Sequence, residues 1–146
     1  MTPNIQIDFI AVAAAVVACF FFGFIWFTVL FGKAWAIEMG MDPNDKPEPS
    51  AMMKSIAINT FGTFLLVWVF AHNIAVWNPT TWGLAPSDMS DGMNIAMAAV
   101  WTWLGFFVPV QLSNIAWGKM SWKLFAINSG YHLINLFIIA SIITLL

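Results

Sequence analysis

Apolar residues along this chain come in four long blocks, each closed by a few polar or turn-forming residues. A helix needs about 20 mostly apolar residues to cross a hydrocarbon core roughly 30 Å thick, because lipid offers no partner to an unsatisfied backbone group. The blocks at about 9–31, 55–77, 93–117 and 122–146 meet that length. They predict an all-α, polytopic membrane protein: one four-helix transmembrane domain made of two helical hairpins. The first block has no basic residue ahead of it and exceeds the roughly 7–15 apolar residues of a secretory signal core, so it reads as a retained span. The segment EMGMDPNDKPEPS after it carries prolines and charges that forbid a continued helix, and it reads as a solvated loop. GKMSW, between the third and fourth blocks, is short enough to predict a tight turn.

Charge adds a sidedness. Only 8% of residues are charged, against about 25% in ordinary soluble domains. Five lysines, no arginine and a net charge of -2 leave no basic face for nucleic acid. Lys33, Lys46 and Lys54 flank the first connection, and Lys119 and Lys123 the third, whereas Asp8, Asp88 and Asp91 lie toward the opposite side. Positive charge is retained in the cytoplasm, so both termini are predicted to be non-cytoplasmic. Lys33, Trp35, Lys54, Lys119, Trp122 and Lys123 fall at span ends, where they read as interfacial anchors.

An internal echo follows the same division. KSIAINT at 54–60 and KLFAINS at 123–129 open the second and fourth spans, while FGKAW at 31–35 and WGKMSW at 117–122 close the first and third. A parallel internal repeat, with two hairpins related by an axis along the membrane normal, accounts for both likenesses; convergent use of lysine and tryptophan anchors accounts for them too. On the repeat reading, Asn59 and Asn128, each about 7.5 Å deeper than its lysine, face each other and hydrogen-bond.

GFIWFTVLFGKAW, with Gly23, Trp26, Gly32, Lys33 and Trp35, and NSGYH at 128–132 resemble the bacterial membrane family catalogued as domain of unknown function 1761. Phe27 stands where that family's tyrosine is expected. The resemblance covers almost the whole chain and implies a small protein of four helices in the bacterial inner membrane. It implies no biochemistry.

The candidate chemistry is a polar seam. Asn128, His132 and Asn135 recur at four- and three-residue spacing on one helix face, beside Tyr131. Gln111 and Asn114 make a polar step on the third span, and Asn59 with Thr63 another on the second. His132, about 13.5 Å past Lys123, sits near the bilayer midplane, where an ionisable residue is a functional candidate by default. The structural alternative is a neutral histidine and amides serving as interhelical glue. His72 lies too far along its helix to share a haem with His132 within one chain. Ala11, Ala15, Cys19 and Gly23 place a small residue at every fourth position, a stripe that admits a close helix within the bundle or on a second copy.

No catalytic residue can be named, since nothing supplies a positioned nucleophile or oxyanion stabiliser. No metal ligands and no cofactor are expected. The leading expectation is a non-catalytic protein acting by association in the bilayer, as a homo-oligomer or an accessory subunit of other membrane proteins. The alternative is a small transporter or ligand-binding protein built on the seam around His132.

Overall fold

The computed structural model describes residues 2–45 and 48–146, and the lysine expected at position 46 lies outside them, as does Pro47. Four helical spans long and apolar enough to cross a membrane run Phe9–Leu30, Pro49–Trp77, Asp91–Gly118 and Trp122–Leu145. The first comprises α1 (Phe9–Phe24) and a π-helical segment (Ile25–Leu30), and is followed by the short α2 (Gly32–Glu38). The second is α3 (Pro49–Trp77). The third joins α4 (Asp91–Thr102) to α5 (Val108–Gly118) through a π-helical segment (Trp103–Phe107), and the fourth is α6 (Trp122–Leu145).

Local chemistry sets these boundaries. The Asp8 carboxylate accepts from the amides of Ile10 and Ala11 and caps α1. Ser90 and Ser121 cap α4 and α6 by accepting from the amides of Met93 and Leu124. Pro49 occupies the first turn of α3, where its missing N–H costs nothing. α3 therefore starts six residues before the apolar block does; its 29 residues measure about 43 Å, longer than a hydrocarbon core, so its polar first turns can stand clear of lipid. Pro109, which has no N–H to donate, breaks the bonding of the third span. The break takes the form of the π-helical turn just before it, which absorbs the bonding a proline cannot complete.

α6 is the hub of the bundle, packing on α1, α3, α4 and α5. Leu136, Ile139 and Ala140 are fully enclosed. They form one core with Val12, Ala15 and Cys19 of α1, Val67, Phe70 and Ala71 of α3, and Ile95 and Ala99 of α4. Every one of these residues lies in the half of its span remote from the lysines. Toward the lysine-bearing end α3 leaves the bundle: no residue of positions 49–66 is buried.

Two expectations are resolved by this packing. The small-residue stripe is used inside the chain: Ala11, Ala15 and Cys19 are at most 2% exposed, and Gly23 lies against Tyr131, whose hydroxyl is 3.2 Å from where a Cβ would stand. The facing of Asn59 and Asn128 does not occur, because Asn59 is on the exposed lysine-side stretch of α3 while Asn128 is half-buried on α6. α6 packs closely on α1, whereas α3 and the third span share no comparable interface. The two hairpins are thus present without the exchange of equivalent contacts that a close two-fold would impose. Gly32 and Lys33 begin α2, whereas Gly118 ends α5 and Lys119 takes the left-handed conformation at φ 60°, so the second echo has two different backbones.

The segment from Glu38 onward was expected to be loop, yet Glu38 is the last residue of α2, which docks on the start of α6. The Ser121 hydroxyl donates to the Glu38 carboxylate at 2.5 Å, and the Lys123 ammonium lies 3.3 Å from its other oxygen. The carboxylate also faces the amino terminus of α6, where the helix dipole favours negative charge. The Ser121 hydroxyl first, and Lys123 second, hold the Glu38 carboxyl below its ordinary range.

Candidate functional site

The residues expected in one seam separate into three environments, because α6 is surrounded and each turn meets a different neighbour. Tyr131 turns to the first span. Its ring stacks on Phe22 with centroids 5.5 Å apart and lies 4.8 Å from Phe27, in a cluster that includes Trp26. Asn135 points into the core, 2% exposed. Asn128 and His132, one turn apart, face the third span.

There they line a cleft of about 450 Å³ with Gln111 and Asn114 of α5, the aromatic pair Phe106 and Phe107, Val110 and Met120. The Phe107 and His132 rings are 4.5 Å apart at a 35° tilt. Phe106 and Val110 are 68% and 63% exposed on the outer face, so the cleft opens sideways between the third and fourth spans, where lipid would meet it. Its position follows from the irregular backbone: the π-helical turn at Trp103–Phe107 and Pro109 lie directly before Gln111. Irregular backbone at membrane depth is tolerated where it lines a cavity or is covered by protein.

Two of the cleft's polar side chains, Gln111 and His132, hold buried atoms without partners. Among the described residues, the buried side-chain atoms without a hydrogen-bond partner are both amide atoms of Gln111, Nδ1 of His132 and Oδ1 of Asn135. Gln111 is 7% exposed, and each such group costs about 1–3 kcal/mol when left unpaired. Sequence reasoning identified Gln111, Asn114, Asn128 and His132 as polar positions at membrane depth, and the fold brings these four together. Asn59 stays apart, as does His72, whose Nδ1 donates to the Trp68 carbonyl at 2.8 Å.

Two tryptophans brace the site. Trp26 donates from Nε1 to the Ile127 carbonyl at 3.1 Å, and Trp103 donates to the Ser129 carbonyl at 2.9 Å and to its hydroxyl oxygen at 3.1 Å. Both indoles leave π-helical segments, one on each side of α6. The Trp103 bond to Ser129 carries no sequence signal beyond an indole at membrane depth, which needs an acceptor. At the lysine-bearing end Lys33, Lys54, Lys119 and Trp122 are exposed, and Trp35 meets Phe27 edge-on at 5.6 Å.

A second cleft of about 410 Å³ lies at the opposite end, between the amino-terminal segment and the Asn78–Thr81 turn. Asn4 donates there from its backbone amide to the Thr81 carbonyl. Its polar lining is largely solvated.

Comparison with known proteins gives one match. The model of the family described as Protein of unknown function (DUF1761) matches residues 10–144. No curated protein and no solved structure matches the chain.

Proposed function

Because the chain belongs to the DUF1761 family, whose description assigns no activity, we propose a function from its geometry: it binds a small, neutral, lipid-soluble molecule in the cleft between its third and fourth spans, without transforming it. The observation that carries this reading is Gln111, a buried amide with neither atom paired, in a cleft of ligand size that His132 also lines. A side chain kept as interhelical glue would have its partner on a neighbouring span. The absence of formal charge among the lining residues favours a neutral ligand, and the lateral opening favours entry from lipid. The lysine distribution supports an orientation with both termini outside the cytoplasm and the cleft in the inner half of a bacterial inner membrane.

The test is Gln111→Leu in delipidated protein. Removing an unpaired buried amide should hold or raise the unfolding midpoint while ligand binding is lost, the usual trade between a prepared site and stability. A markedly lower midpoint would contradict the reading, since it would give Gln111 a structural bond.

Association is a second reading, and one observation favours it: the first half of α3 buries nothing within the chain, and it presents Asn59 beside Gly62, where a Cβ would meet open space. A second copy or another membrane subunit could pack there closely, with Asn59 as its polar contact. Cross-linking through Asn59→Cys tests it, since the native thiol of Cys19 is buried. Chain-to-chain or chain-to-partner products would support it, and monomer alone would oppose it.

A further inference from the structure

Resting on the reading of the cleft as a ligand site, we infer that its ligand class is a quinone or quinol: a neutral ring carrying carbonyl or hydroxyl oxygens, on a lipid-soluble tail. The unpaired groups define what the ring must offer. Gln111 has a free donor at Nε2 and a free acceptor at Oε1, and His132 has an unpartnered Nδ1. A carboxylate would repel the oxidised ring's carbonyls, and a lysine or arginine could not accept from the reduced ring's hydroxyls. An amide and a neutral imidazole accommodate both, Nε2–H donating to a quinone carbonyl and Oε1 accepting from a quinol hydroxyl. Gln111 is more than nine-tenths buried and lines the cleft, so its hydrogen bonds would form out of water.

The remaining walls suit a ring. Phe107 and His132 pack ring on ring at 4.5 Å as one aromatic wall, and Phe106 adds a further aromatic surface. The exposed side chains of Phe106 and Val110 mark the side through which an apolar tail would leave toward lipid. Asn114 and Asn128, near the lysine-bearing end of the cleft, offer amides to a second ring oxygen. A plain fatty chain would leave these amides unpaired, and a charged headgroup would find no counter-ion in the lining.

The experiment is a titration of the full chain, in nanodiscs of zwitterionic lipid, with decylubiquinone, its reduced quinol and decylbenzene as the ring-bearing control without oxygens. Binding is read by native mass spectrometry. The wild-type chain should form a saturable one-to-one adduct with both redox forms and none with decylbenzene, and Gln111→Leu should weaken it about tenfold or more. His132→Leu supplies a second variant, so that misfolding of either leaves the test intact. If neither redox form binds while another neutral compound co-purifies and is lost in Gln111→Leu, the quinone class is overturned and the ligand site stands. If nothing binds and nothing co-purifies, both are overturned. Binding of decylbenzene equal to that of the quinone would also overturn the assignment, since the polar groups would then decide nothing.

Discussion

The indole Nε1 of Trp26 donates to the backbone carbonyl of Ile127 across 3.1 Å, tying the irregular end of the first span to the lysine-side half of the fourth. On the other face of α6, Trp103 does the same two residues later, at Ser129. These bonds hold the hub helix where the apolar core no longer reaches. Trp26→Phe keeps most of the ring contact and deletes the donor, so unfolding in a detergent titration should lose about 1 kcal/mol. Trp103→Phe should cost a similar amount and, because Ser129 lies one helical turn from His132, should also weaken whatever the cleft binds. A double variant no less stable than either single one would show that the two bonds do not act separately.

Gly32 and Gly62 should respond oppositely to alanine. A Cβ at Gly32 would lie 3.1 Å from the Phe27 carbonyl oxygen, a backbone atom that cannot step aside without disturbing the π-helical turn. Gly32→Ala is expected to destabilise the chain and loosen α2. At Gly62 a Cβ meets nothing within 4 Å, and Gly62→Ala should be neutral or stabilise by up to about 1 kcal/mol through helix propensity. Melting curves of the two purified variants decide the matter.

The latch between α2 and α6 should depend on pH. Ser121 and Lys123 depress the Glu38 pKa from its ordinary 4.5, so the ionised carboxylate contributes stability that is complete above that value. The contribution is lost as pH falls from about 4.5 through the lower folded pKa. The protection of α2 amides, taken as the exchange rate relative to that of an unstructured chain at the same pH, should therefore hold above about pH 4.5 and fall in the acid window. Glu38→Gln should show low α2 protection throughout and no such step.

Cys19 is 1% exposed in the core. A membrane-permeant maleimide should leave the folded chain unmodified and label it once it is unfolded in detergent. Rapid labelling of the native protein would mean that the first and fourth spans separate.

The spans were legible because twenty apolar residues in a row admit few readings in water or lipid. Their polar extensions were not: Glu38, Pro49 and Ser50 fall in the segment read as loop, and they are helical because Pro49 starts one turn and Glu38 finds Ser121 and Lys123. The stripe from Ala11 to Gly23 announced a close helix contact without naming the partner, which only the central place of α6 supplies. The internal echo misled in the case of Asn59. A shared heptapeptide fixes helical phase relative to a lysine, but which way that phase faces depends on where α3 leaves the bundle. His132 and Gln111 could be read as polar groups at depth; that they share a cleft, while Asn135 and Tyr131 turn elsewhere, depends on α6 having neighbours on several sides.

The most direct measurement is native mass spectrometry of the wild-type chain and Gln111→Leu, both gently extracted from their own membranes. The account predicts a reproducible neutral small-molecule mass on the wild-type chain that is missing from the equally folded variant. A wild-type chain carrying no such mass, or the same mass undiminished in Gln111→Leu, would contradict it.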